Sequence, residues 1–343
     1  MATSQSPVTA AASDRKIRVS RGLGYPLLRA AAYVARRALS GAVILFIVTG
    51  LSFVLFYARG GVAIARNFLG TSASLDQAAS TAHSLGLDRP LLTQYLSWLR
   101  GLLHGDLGTS FASGDSVSHI LESRIPVTLS LVVATLAITV TFSMLIGLLA
   151  ATHGGWLDRV IQVLSVVLGA LPPYWVALIL VVTFSLDISL FPATGYVPLT
   201  HSLGGWLSTV ALPSISISLG ITLVLAVWIR SSIIDVQRKD FVRTLRSRGI
   251  PTRMIMLRHV LRNAATPIVQ MLGLQAIALL SGVIIVERVF ALPGIGQLAL
   301  DSGKVGDVPV VMGCITFLVV VVVVINLAVD VINGLLNPRV RLA

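Results

Sequence analysis

Six stretches of the chain are almost wholly apolar: Ala38 to Tyr57, Val127 to Ala151, Val160 to Leu186, Leu207 to Ile229, Ala264 to Val286 and Val310 to Val329. Each approaches the ~20 residues that an α-helix needs to cross the hydrocarbon of a bilayer. None shows the alternation of apolar and polar positions that marks a membrane β-strand. The pattern predicts an all-α integral membrane protein with about six transmembrane helices. Two polar intervals are long enough to matter. One, between Tyr57 and Val127, has room for a small subdomain and carries its own apolar stretch around Tyr95 to Leu103. The other, from Arg230 to Asn263, is dense in arginine. Inside the third window, Pro172 and Pro173 predict a helix break or kink, because each lacks a backbone donor and its ring clashes with the preceding turn. Prolines are also common in membrane helices for packing alone, and packing is the role expected of this pair.

Composition agrees with lipid as the main solvent. Hydrophobic residues make up 55% of the 343 positions and charged residues 12%, too little polar side chain to coat a soluble globule of this size. A net charge of +12 raises the question of nucleic acid. The cations, however, are sorted by side and form no basic face interleaved with aromatics. With both termini cytoplasmic, nineteen of the 26 Lys and Arg fall in inner segments, as positive-inside topology requires. Nine acids, Glu287 among them, are assigned to outer segments. The basic excess is therefore a topology signal and nucleic-acid binding is excluded. Cys314 is the single cysteine and lies in the last window, so no disulfide or thiolate metal site forms within one chain. The six histidines never pair at helical spacing, and no metal is expected.

The organisation follows. Residues 1–33 are a cytoplasmic tail and interfacial helix without the apolar run of a secretory signal; the interfacial pattern runs from Tyr25 to Arg37, across the boundary into the first span, with Arg29, Arg36 and Arg37 snorkelling at the inner leaflet. Residues 34–57 form the first transmembrane helix, 58–126 an extracytoplasmic subdomain, and 127–343 a core holding the other five spans and the cytoplasmic loop 230–263. In that loop Asp240 is suited to cap a helix start, Gly249 to take the left-handed position that ends it, and Pro251 to stop it. The implied helix is about 12 Å long, too short to be stable alone. Phe241 and Leu245 share a face with Thr244 and Arg248, while Arg243 and Arg246 point elsewhere. Burial of Phe241 and Leu245 requires a partner surface; anionic lipid and a protein groove both suit it.

Beyond these residues lies a likeness. Asp240-Phe241-Val242-Arg243-Thr244, Arg246 and Gly249, followed by Arg258-His259-Val260-Leu261-Arg262-Asn263-Ala264 and Pro267, resemble the cytoplasmic loop of ABC importer inner-membrane permeases. The version is that of the peptide/nickel group, in the B-type subunit of dipeptide and oligopeptide permeases. The resemblance runs from about Val34 to Arg341 through Leu85-Gly86-Leu87-Asp88-Arg89-Pro90, Gly105-Asp106-Leu107-Gly108, Val286-Glu287-Arg288-Val289-Phe290, Pro293-Gly294-Ile295-Gly296 and Asn337-Pro338-Arg339. Leu245 departs from the small residue usual in the loop, Arg288 from a usual Thr, and Gly60-Gly61-Val62 from a common Pro-Gly-Asp-Pro stretch.

The resemblance implies a type I ABC importer permease fold in the cytoplasmic membrane of a prokaryote, and a pore for dipeptides or oligopeptides working by alternating access. Nickel or another small solute is the alternative within the group. It implies as partners a homologous C-type permease, two cytoplasmic ATPases and an extracytoplasmic peptide-binding protein. Asp240 to Leu245 with Gly249 then form the ATPase-coupling segment, supported by Arg258, His259 and Asn263. Gln270, Gln275 and Ser281 are candidates for the translocation path, although intramembrane polar groups also serve as helix-helix glue. The chain has no Gly-x-x-x-x-Gly-Lys-Ser/Thr loop, so ATP and magnesium belong to partner subunits and this chain is non-catalytic. A proton-coupled carrier would need an intramembrane carboxylate relay, and Asp330 near a helix end does not supply one.

Overall fold

The computed structural model describes residues 24–70 and 73–336, so the tail 1–23 and the Asn337-Pro338-Arg339 motif lie outside the described residues. In chain order the helices are α1 (Gly24–Tyr57), α2 (Gly61–Leu69), α3 (Leu75–Ser84), α4 (Leu91–Leu103), α5 (Val117–His153), α6 (Gly155–Ala170) and α7 (Pro173–Leu180). There follow α8 (Leu203–Gln237), α9 (Asp240–Ser247), α10 (Thr252–Met254), α11 (Leu261–Val289), α12 (Ile295–Val305) and α13 (Val308–Leu336). Wider π-helical turns extend α7 over Val181–Asp187 and join α10 to α11 over Ile255–Val260. The segment 25–37, expected as a separate interfacial helix, is the first part of α1, which enters the first apolar window without a break.

All six apolar windows are helical, but the third is bent by 95° between α6 and α7. A residue before proline is pushed out of the helical region. Here two in succession are, since Leu171 precedes Pro172 and Pro172 precedes Pro173, and both adopt extended backbone at ψ 125 and 137. Pro173 then restarts a helix at its first position, where its missing N–H costs nothing. Pro126, Pro213 and Pro267 stand singly inside α5, α8 and α11, which continue through them.

Whether the bent pair crosses the bilayer follows from its neighbours. Trp206 Nε1 donates to Ser130 Oγ at 3.1 Å near the start of α8. Towards its far end, a Cβ on Gly147 would lie 2.8 Å from the Ala226 carbonyl. Residue numbers rise together along the contact, so α5 and α8 run parallel. The chain between them leaves one end of the bundle at His153 and re-enters at the other at Leu203, so α6 and α7 together make one crossing and the spans number six. Packing there is close because small residues allow it: a Cβ on Gly220 would sit 2.6 Å from the Leu168 carbonyl, and one on Gly169 2.9 Å from Val224. Buried Asp158 on α6 pairs with Arg230 on α8 through both carboxylate oxygens. Arg37 of α1 pairs with Asp330 of α13 at 3.0 Å, which gives that intramembrane acid a structural partner.

The segment between α1 and α5 is helical too. Ser74 and Gln77 exchange side-chain and backbone hydrogen bonds in a capping box at the start of α3. In the turn before α4, Asp88 lies 2.7 Å from His83 Nδ1, and this hydrogen bond holds its carboxyl below the usual range. The segment is fastened to the α12–α13 junction by buried Asp307, which accepts from Ser110 Oγ and from the Phe111 amide.

Removing one member of a largely buried ion pair typically costs about 3 kcal/mol or more. Arg230→Ala should therefore lower the thermal midpoint markedly in detergent. The double variant Asp158→Asn/Arg230→Gln, which leaves no orphaned charge, should lose less. Equal losses in the two would show that the pair does not clamp α6 to α8.

Candidate functional site

At the end of the bundle where α8 stops, the chain turns through a short helix and goes back. The long helices reach further than the apolar windows suggest: α8 runs to Gln237 and helical backbone resumes at Thr252. The loop expected over 230–263 thus shrinks to residues 238–251, with α9 inside it. Arg258 and His259 lie in the π-helical turn and Asn263 in the first turn of α11, where Asn263 Nδ2 donates to the His259 carbonyl at 2.7 Å. Such wider turns frequently mark functional sites.

The start of α9 differs from expectation. Its N-cap is Lys239, with no side-chain cap; Asp240 is the first helical residue, placed where its charge favours the positive end of the helix dipole. Arg243 reaches Asp240 at 3.8 Å with both side chains largely exposed, a pair worth little. The end matches the glycine signal. Gly249 has φ 73, its N–H donates to the Arg246 carbonyl, and the Ile250 N–H donates to the Leu245 carbonyl. These are the two bonds of a Schellman cap, and Ile250 and Leu245 pack against the same apolar cluster.

A helix of this length cannot hold itself. Val242, fully buried, anchors it in a cluster with Ile233 and Val236 at the end of α8, Ile255 and Val260 of the π-helical turn, and Ala264 and Ile268 of α11. Leu245 is half-buried against that cluster, so its partner is its own chain and not an external surface. Phe241 remains 37% exposed, and Thr244 and Arg248 are exposed beside it. These three lie three to four residues apart and form one outward face.

From this end α11 runs the length of the bundle with one uncovered stripe: Asn263, Pro267, Gln270, Leu274, Ala278, Ser281, Ile285 and Arg288 are all exposed or on its edge, at steps of three and four. Gln270 and Ser281 share this stripe. Gln275 does not; it is half-buried and lies roughly 140° round the helix from Gln270.

At the opposite end of α11 is a junction that the sequence reading missed. Glu287, assigned with the acids of the outer segments, is fully buried. Thr128 Oγ1 of α5 donates to its Oε1 at 2.6 Å, and the Gln297 N–H at the start of α12 donates to its Oε2 at 3.1 Å. Thr128 in turn accepts from the Ile295 N–H at 2.8 Å. The carboxylate thus satisfies free amides of the first turn of α12 and completes an N-terminal anion site from within the chain. Gly294 and Gly296 let the backbone wrap it: Cβ atoms there would fall 2.0 and 2.9 Å from its oxygens. The signal was present as an acid closing an apolar window, followed by Gly294-Ile295-Gly296. No group of three or more His, Cys, Asp or Glu able to hold a metal ion occurs among the described residues.

Comparison with known proteins gives a consistent result. Residues 143–342 match the family described as binding-protein-dependent transport system inner membrane component, and residues 30–132 match its N-terminal counterpart. A putative peptide transport system permease protein of Brucella abortus is 34% identical over 314 residues, covering 90% of this chain and 99% of that protein. The glutathione transport system permease protein of Salmonella choleraesuis is 36% identical over 310 residues, covering 90% and 98%.

Glu287→Ala should leave the Thr128 hydroxyl and the Gln297 amide without their partner, at about 1–3 kcal/mol for each unsatisfied buried group. Amide exchange in the first turn of α12 should accelerate by tenfold or more, since each ~1.4 kcal/mol is a factor of ten. Glu287→Gln, which keeps one acceptor for Thr128, should show a smaller change. Unaltered exchange in Glu287→Ala would rule out the carboxylate as the anchor of α12.

Proposed function

The chain belongs to the binding-protein-dependent transport system inner membrane components, the non-catalytic permease subunits of ABC importers, and from that premise we propose that it forms half of a pore that imports short peptides. The substrate class rests on two relatives, one named for peptide transport and one for glutathione, itself a tripeptide. Dipeptides and oligopeptides are the proposed cargo. A homologous C-type permease supplies the other half of the pore, two ATPases bind ATP and magnesium on the cytoplasmic side, and an extracytoplasmic peptide-binding protein delivers the substrate. Both termini are cytoplasmic, which puts α9 and the arginine-rich loop inside and α12 outside.

The observation that carries the reading is the division of α9 into two faces. Val242 and Leu245 fix it to the ends of α8 and α11, while Phe241, Thr244 and Arg248 project outward. A helix so held moves with the spans that anchor it. When two ATPases close on ATP, a groove gripping Phe241 displaces α9, and α8 and α11 follow. The uncovered stripe of α11 then faces the path or the second permease, and its uncharged Gln270 and Ser281 offer donors and acceptors to peptide backbones of varied sequence.

Phe241→Asp should cost much less thermal stability than Val242→Asp, because Val242 is fully buried in the cluster and Phe241 is 37% exposed. It should weaken docking by about 2 kcal/mol, roughly thirtyfold, abolishing peptide uptake and the stimulation of ATPase activity by the binding protein. Full stimulation in this variant would remove α9 from the coupling role. For the path, single cysteines in a Cys314→Ser background should be blocked by a bulky thiol reagent during transport at positions 270 and 281 and be spared at 275. Equal reactivity at all three would contradict the stripe.

A further inference from the structure

The segment between α1 and α5 was expected to stand wholly outside the bilayer, yet α4 is built differently from an external helix. Leu92, Leu96 and Leu103 are 68%, 51% and 79% exposed and share one face of α4 with Leu99, which is half-buried against the chain's own apolar cluster; the three exposed leucines form an apolar stripe that the described residues leave largely uncovered. The other side of α4 is polar. Thr93, Gln94, Ser97 and Gly101 line an open cleft towards the Gly105-Asp106-Leu107-Gly108 turn.

The depth of α4 is fixed by Tyr95. Its hydroxyl donates to the Phe46 carbonyl at 3.0 Å and lies 3.1 Å from Thr49 Oγ1, and its ring rests on Gly50 and beside Phe46 and Phe53. Arg37 and Tyr57 are about 30 Å apart along α1, the thickness of the hydrocarbon layer. Gly50 is seven residues before Tyr57, so the Tyr95 ring reaches about 10 Å inside the end of the span. Interfacial amphipathic helices bury their apolar face to about 5–10 Å. Phe46, half exposed on α1 and in contact with Tyr95, makes the leucine stripe continuous with the outward apolar face of the first span.

We propose that α4 is embedded in the bilayer leaflet beside the end of α1, with Leu92, Leu96 and Leu103 in acyl chains and its polar face on the open cleft. Arg100 borders the stripe and lies within reach of lipid phosphates. This part of the chain is then a membrane-anchored shelf, so α2, α3 and the cleft keep a constant height above the bilayer.

The proposal is tested with the full-length chain in nanodiscs of phosphatidylcholine and phosphatidylglycerol, using single cysteines on a Cys314→Ser background. Nitroxide labels at positions 92, 93, 96, 97 and 103 are probed with oxygen and with a water-soluble nickel chelate, and labels at positions 51 and 55 of α1 provide the lipid reference. Positions 92, 96 and 103 should show the oxygen-rich, chelate-poor collisions of the α1 references, whereas 93 and 97 should collide freely with the chelate. Chelate access at the three leucine positions equal to that at 93 and 97 would place α4 in water and overturn the proposal. Shielding of those positions from both reagents would show that protein, not lipid, covers the stripe, and would overturn it equally.

Discussion

Inside a bilayer an unpaired backbone amide or carbonyl has no water to turn to and costs several kcal/mol. Every span of this chain answers that constraint by remaining helical from one end to the other, with one exception. At Leu171 and Pro172 the helix is interrupted, and the break is tolerated because it lies against α8, where Gly220 admits the Leu168 carbonyl at close range. The 95° bend lets one crossing pack along α8 with its first half and reach α11 with its second. Parallel α5 and α8 depend on it, since the chain must recross between them.

The two ends of the bundle use the same physics for different purposes. At one end, α9 is held by a buried valine and a glycine cap, and its polar groups stay exposed. At the other, a buried carboxylate gathers the amides of α12 and ties α5, α11 and α12 together. Helix α11 links the two: its first turns share a cluster with Val242, and its last turn carries Glu287. In the proposed coupling role, a displacement of α9 is passed to an element whose far end is bonded to α12. In a close-packed bundle such a movement is transmitted and not absorbed.

Much of this was legible in the sequence because lipid imposes a simple code. Apolar windows of the right length gave the spans, and Gly249 gave the end of α9 through its positive φ. The double proline announced a break because each proline acts on the residue before it. These are local effects, and local effects are written in neighbouring residues.

What the tertiary structure decided is which groups meet and which remain bare. Glu287 is indistinguishable from an exposed acid until Thr128, 159 positions away, and the start of α12 close around it. Leu245 and Phe241 lie on neighbouring faces of one short helix, and only the arrival of Ile255 and Val260 separates the buried one from the free one. Gln270 and Gln275 are both glutamines in the same span, parted by helix rotation and by what packs against each side. The stripe on α4 was readable as an apolar stretch, but its place beside α1 is set by the contacts of Tyr95 with Phe46, Thr49, Gly50 and Phe53. Sequence determined the elements, since those follow from solvent and local sterics; burial, partnership and depth were left to the fold, since they depend on residues far apart in the chain.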